Sequence, residues 1–198
     1  MKQIFKLGLF IATLNFLTDC NGQTKTESNQ NEIKTDKNKL IGGGCDGCEL
    51  MYVGMPKGIS SEHTSNGWDE GKQKLILTGK VFQLDGRTPA SDVVIYYWHT
   101  DDSGLYSSND QTPKQAKEHG KLRGWVKSDK SGNYKIKTSR PDAYPNDNIP
   151  QHIHLSIKEP DIINEYYADL YFDDDPLYLK HKKKYGKLDR AGTEILRI

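Results

Sequence analysis

Tyr144-Pro-Asn-Asp-Asn-Ile-Pro-Gln-His-Ile-His154 (YPNDNIPQHIH) is the stretch on which the reading of this 198-residue chain turns. Two histidines, His152 and His154, stand one residue apart at the head of a short apolar run, His-Ile-His-Leu-Ser-Ile, which has the pattern of a β-strand. Side chains alternate faces along a strand. Both imidazoles therefore project from one face, ~6.5 Å apart along the backbone, and can converge on a single ion. Tyr144 precedes His152 by eight residues, and Pro145 and Pro150 stiffen the approach by fixing φ. An isolated His-x-His in a chain of this length is more often an edge strand with incidental histidines, so the surrounding sequence must decide.

Outward from this strand the pattern is β throughout. Leu75, Leu77, Gly79 and Val81 alternate with Ile76, Thr78, Lys80 and Phe82, then stop at an Asp85-Gly86 turn. Val93 to Trp98 is continuously apolar, as suits a strand buried on both faces. Leu122–Lys127 and Asn133–Thr138 flank a turn at Asp129–Gly132, and Glu165–Phe172 follows the histidine strand. Short strands separated by Gly, Asp and Pro turns predict an all-β fold, an antiparallel β-sandwich with its core over residues 75–172. The charged tail after Asp173-Asp174-Asp175-Pro176 reads as a wrapping segment. The run Lys180-His181-Lys182-Lys183-Lys184 reads as a solvated surface turn. A net charge of +1 with no basic face argues against a nucleic-acid partner.

Residues 1–20 read as an export signal: Lys2 and Lys6 give a positive start, and Leu7 to Leu17 form an apolar core too short to span a bilayer. The segment closes on Leu17-Thr18-Asp19-Cys20, which looks like a bacterial lipoprotein box with Asp19 where a small residue is usual. Lipidation of Cys20 would place the protein in the cell envelope, in contact with the membrane only through that lipid. Plain secretion is the alternative. Residues 21–44 are polar or glycine-rich and read as a flexible tether to a domain over 45–198. Cys45-Asp46-Gly47-Cys48 could be a redox dithiol, half a zinc site or a small disulfide loop. With Cys20 committed to lipid, and no further cysteine for a zinc site, a structural staple is preferred.

Two tyrosines complete a constellation. Tyr106 follows a glycine turn in Asp102-Ser-Gly-Leu-Tyr106, and Tyr144 lies between Pro141 and Pro145. A neutral phenol, with pKa about 10, is a poor ligand at neutral pH, but a trivalent ion favours the phenolate. Two tyrosinates with two imidazoles form a hard, anionic donor set that suits Fe(III) better than zinc, copper or magnesium.

These residues lie within a longer pattern. It runs through Leu77-Thr78-Gly79-Lys80-Val81, the Trp98 strand end, Asp102-x-Gly104-x-Tyr106-Ser107 and Arg123-Gly124. It continues with Ser128-Asp129-x-x-Gly132-x-Tyr134, Pro141-x-x-Tyr144-Pro145 and Pro150-x-His152-Ile-His154. The sequence resembles the intradiol ring-cleavage dioxygenases, the catechol and protocatechuate dioxygenases, in that family's order from Leu75 to Phe172. The resemblance implies metal ligands at Tyr106 and His154 (equatorial) and at Tyr144 and His152 (axial). Tyr144 would also be catalytic, leaving the Fe(III) and accepting a proton as a catechol binds. It further implies cleavage between the two hydroxylated carbons of an aromatic diol with O2, the protein's part being positioning and polarisation.

One position departs from the family pattern. Its ring-cleaving members carry an arginine three residues before the first histidine, and Ile149 stands there, with Gln151 replacing a customary alanine. An apolar side chain cannot supply a guanidinium's charge-assisted hydrogen bonds. Arg123 and Arg140 could bring a cation from elsewhere, but surface or structural charge is their simpler role. Ile149 keeps open a non-enzymatic alternative, a lipid-tethered envelope binding module with a structural or vestigial iron site. A cupin-type set of His152, His154 and Glu159 lacks its glycines, and His63, His99, His119 and His181 lack copper–zinc spacing. His99, at a strand end, is expected to serve packing or a hydrogen bond.

Overall fold

A computed structural model describes residues 47–185 and 193–196. The export segment, Cys20, the tether and Cys45 lie outside them. Cys48 is disulfide-bonded, and its partner also lies outside the described residues. No helix among these residues is long and apolar enough to cross a membrane.

Eight strands follow in order: β1 (Glu62–Thr64), β2 (Lys74–Lys80), β3 (Val94–Trp98), β4 (Arg123–Lys127), β5 (Asn133–Ser139), β6 (His152–Lys158), β7 (Tyr166–Phe172) and β8 (Thr193–Leu196). They form a three-stranded sheet, β1-β5-β2, and a five-stranded sheet, β4-β3-β6-β7-β8. Pairing is antiparallel except at two edges, where β1 runs parallel to β5 and β8 parallel to β7. The expected β-sandwich is therefore the fold, amended at its edges by strands too short for their sequences to announce.

The alternation of β2 is realised, with Leu77 buried between exposed Ile76 and Thr78. Gly79 pairs with Tyr134 of β5, and a side chain at Gly79 would collide with the Tyr134 ring. Parity along the central strands separates two jobs. Ile95 and Tyr97 of β3, Ile153 and Leu155 of β6, and Leu170 and Phe172 of β7 face the small sheet, packing with Leu77 and Ile136. Burying each such side chain is worth roughly 1.5–3 kcal/mol. The other parity faces away from that core. There Tyr96 and Trp98 pack on Cys48 and Met51 of a 3-10 turn, Cys48–Tyr52, with Trp125 and Tyr167 beside them. Burial of β3 on both faces follows from these two layers. The histidines belong to the second face.

The tail carries two short helices, α2 (Pro176–Lys180) and α3 (Lys182–Tyr185), after the small α1 (Gly67–Glu70); within the lysine run a turn at His181 joins them, and Lys180, Lys182 and Lys183 are exposed. Asp175 caps α2 by accepting from Leu177 N at 2.7 Å, and Pro176 opens the helix with a preset φ. Tyr178 anchors α2, buried against the ring of Tyr171.

Candidate metal centre

The strand register places the site. In β6, His154 lies opposite Trp98 of β3 on one side and Asp169 of β7 on the other, and His152 lies opposite Tyr171. Alternation turns both imidazoles to the same face, and their Nε2 atoms stand 3.0 Å apart.

Two loops lay the tyrosines over this face. The first is knotted by Asp101, whose Oδ1 accepts from Ser103 N at 2.9 Å and Leu105 N at 3.2 Å, while Oδ2 accepts from Ser107 Oγ. Gly104 turns this loop at φ +73°, and a Cβ there would press into the carbonyl oxygen of Ala143, next to Tyr144. The second loop is bound to the first. Asp142 N donates to Asp101 O at 3.1 Å, and Thr100 Oγ1 donates to Asp142 O at 2.6 Å.

The outcome is a convergence of donor atoms. Tyr106 Oη is 2.6 Å from Tyr144 Oη and 2.8 Å from His154 Nε2. Tyr144 Oη is 3.3 Å from His152 Nε2 and 3.2 Å from His154 Nε2. Ligands bound at about 2.0–2.1 Å around one ion stand about 3 Å apart, so a single ion could be held by these four donors. The structure thus brings together all four residues singled out in the sequence.

The second ring nitrogens fix the tautomers. A carbonyl oxygen only accepts, so His152 Nδ1 donates to Pro150 O at 2.6 Å and keeps its Nε2 lone pair for the centre. His154 Nδ1 donates to Asp169 Oδ1 at 2.8 Å, with the same result. Burial pushes the His152 pKa down to about 4, so the ring is neutral at pH 7. Burial also raises the pKa of both tyrosines, with the Tyr144 hydrogen bond adding to the rise at Tyr106 and the Asp169 charge adding to both. A cation bound there would have to displace their protons, which makes uptake favourable with rising pH.

Asp169 was not legible as part of this site. Its carboxylate accepts from Tyr167 Oη at 2.5 Å and from Tyr171 Oη at 3.2 Å as well as from His154. Burial alone would raise its pKa, yet the hydrogen bond and charge of His154 outweigh burial and hold it low. His152, His154 and Asp169 also form the one carboxylate-containing group among the described residues that could hold a metal ion. Glu159 does not: it lies past the far end of β6 and accepts from Tyr166 Oη at 2.9 Å. The sequence signal for Asp169 is the alternation Tyr167-x-Asp169-x-Tyr171, an acid on an aromatic face.

Neither arginine replaces the cation missing at Ile149. Arg140 is locked to Asp174 through two bonds of 2.6 and 2.7 Å and donates to Gln151 Oε1 at 2.8 Å. Arg123 is buried over the rings of Tyr96 and Trp125 and donates to Val53 O. The simpler structural roles hold for both. His99 is also structural, joined to Thr100 O at 2.7 Å and Thr138 Oγ1 at 2.8 Å.

Residues 55–183, more than half of the chain, match the family model described as dioxygenase. The chain belongs to this family, the intradiol ring-cleavage dioxygenases. Catechol 1,2-dioxygenase of Acinetobacter baylyi is 30% identical over 95 residues, covering 48% of this chain and 30% of that protein. The protocatechuate 3,4-dioxygenase beta chain of Burkholderia cepacia is 27% identical over 111 residues, covering 53% of this chain and 47% of that one. The chain thus spans less than half the length of these relatives. Among solved structures, the dioxygenase domain of a dioxygenase–carbohydrate-binding fusion from Streptomyces sp. SirexAA-E has a TM-score of 0.48 at 20% identity, covering 71% of this chain and 87% of that one. Catechol 1,2-dioxygenase from Pseudomonas arvilla C-1 has a TM-score of 0.48 at 24% identity, covering 71% and 48%.

Proposed function

We propose that this chain is a non-haem Fe(III) dioxygenase that cleaves a catechol-type aromatic between its two hydroxylated carbons with O2. We place it, from residues 1–20, in the bacterial cell envelope on a lipid at Cys20. The observation that carries the activity is the convergence of Tyr106 Oη, Tyr144 Oη, His152 Nε2 and His154 Nε2 at spacings of 2.6–3.3 Å. The set fits the ion chemically, since two phenolates with two imidazole nitrogens give a hard, anionic site.

Fe(III) held there would supply Lewis-acid polarisation of a bound diol and its reactivity toward O2. The chain's own residues do the rest. Tyr106 and His154 are held from behind, by the Asp101 loop and by Asp169 respectively, and stay in place. By the family resemblance, Tyr144 would be the donor that gives way to a diol. Once released, its oxygen can take one proton from the incoming diol. Trp98 stacks 5.0 Å from His154 and, with Tyr167, keeps water from that side of the centre.

Oxygen uptake on adding catechol to the iron-loaded protein tests the activity. Both atoms of isotope-labelled dioxygen should appear in a ring-opened diacid. No uptake, with iron and catechol both bound, would favour the envelope binding module instead. Ile149 is the observation that supports that second reading.

A further inference from the structure

The fixed charges closest to the four donor atoms are carboxylates. Asp169 lies directly behind His154 at 2.8 Å. Asp101 knots the Tyr106 loop, and Asp175 accepts from the backbone N–H of Gln151 at 2.6 Å, one residue before His152. The charged side chains that bear on Tyr106, Tyr144 and His152 are Asp169, Asp147 and Asp175. The nearby cations are committed elsewhere. Arg140 is paired with Asp174, Arg123 is buried beneath two aromatic rings, and Lys121 is paired with Glu70. At position 149 the side chain is apolar.

We propose, resting on the ferric catechol reading above, that this centre favours catechols bearing an ammonium substituent over those bearing a carboxylate, with Asp169 the chief determinant of that preference. A diol bound among the four donors would lie on the far side of the His154 ring from Asp169. The Asp169 carboxylate would act on a ring substituent across a Debye length, ~8–10 Å, or somewhat more. A unit charge at such a distance, at a surface-like effective dielectric constant, shifts affinity by about tenfold. Attraction for the ammonium and repulsion of the carboxylate act together, and the Lys121 charge that bears on Asp101 offsets that residue rather than Asp169. Asp169 is a specificity-determining and positioning residue here, since it touches His154 rather than the diol.

The test titrates the visible band of the iron-loaded protein at pH 7 with three probes: catechol, 3,4-dihydroxybenzoate and 4-(2-aminoethyl)catechol. The expected affinities rank the ammonium probe at or above catechol, with the carboxylate probe at least about tenfold weaker than the ammonium one. The gap should narrow at high salt. In Asp169→Asn, the ratio of ammonium to carboxylate affinity should fall severalfold, whatever happens to absolute iron affinity. Carboxylate binding equal to or tighter than ammonium binding would overturn the proposal. So would a ratio in the unsubstituted protein that salt leaves unchanged, a test that does not depend on the variant folding. If catechol itself moves no band, the ferric reading fails and this inference fails with it. That outcome is distinct from equal binding of all three probes, which removes the charge preference alone.

Discussion

Gly104→Ala should damage the proposed metal centre from a distance, and Gly86→Ala supplies the control. Both glycines have left-handed backbones, φ +73° and +66°. An L-residue there is strained by roughly 1–2 kcal/mol. Nothing lies within 4 Å of a Cβ at Gly86, so that substitution carries the strain alone. At Gly104 a Cβ would drive into the Ala143 carbonyl oxygen and touch Pro145 Cδ at 3.0 Å. The two loops must then separate by on the order of 1 Å, a displacement that can cost 10²-fold in rate at a centre built on fixed geometry. The contact between Tyr106 Oη and Tyr144 Oη, 2.6 Å, spans that same junction. Urea denaturation should show Gly86→Ala losing about 1–2 kcal/mol with iron affinity unchanged. Gly104→Ala should lose about 3–4 kcal/mol and weaken iron binding at least tenfold. Equal iron affinity in Gly104→Ala and the unsubstituted protein would refute the argument that this glycine sets the distance between the tyrosines.

Further outcomes follow from the core and its titrating groups. His99, fully buried, has its pKa pushed down to about 4 by burial, against an ordinary 6.5. The unfolded chain therefore binds a proton that the folded one refuses, and stability must fall as pH drops from about 6.5 toward 4, by up to about 3 kcal/mol. Urea midpoints of the metal-free protein across that window should show the slope, and His99→Gln should reduce it by one proton's share, since burial also pushes His152 and His119 down to about 4; an identical slope in the variant would disprove the assignment. Ile153 lies between the two histidines but points into the inter-sheet core at 0% exposure. Ile153→Ala should cost about 2–5 kcal/mol in denaturant stability, and a loss below about 1 kcal/mol would contradict the two-faced strand.

Much of this was legible because it is local. Alternation marked β2, the apolar run marked β3, and the Asp-to-Gly turn at 129–132 is present with Gly132 at φ +80°. The tyrosine and histidine positions were legible through short motifs whose glycines and prolines shape single loops. What escaped depends on pairing between distant segments. Asp169 joins His154 only because β6 and β7 pair in a register that puts them opposite each other; the alternation Tyr167-x-Asp169-x-Tyr171 marks an acid on an aromatic face but not its partner. The three-residue β1 and the parallel β8 are likewise stabilised by their neighbours rather than by their own sequences. The fate of the arginines was also a tertiary matter, set by Asp174 for Arg140 and by the Tyr96 and Trp125 rings for Arg123.

The central claim is that Tyr106, Tyr144, His152 and His154 hold one ferric ion with a position open to a diol. The visible absorption spectrum of the iron-loaded domain, recorded before and after adding catechol, tests it most directly. The account predicts a strong tyrosinate-to-iron band at one iron per chain that shifts when catechol binds and is lost or moved in Tyr106→Phe. A protein that stays colourless, or takes up iron with a spectrum indifferent to Tyr106→Phe, would contradict it.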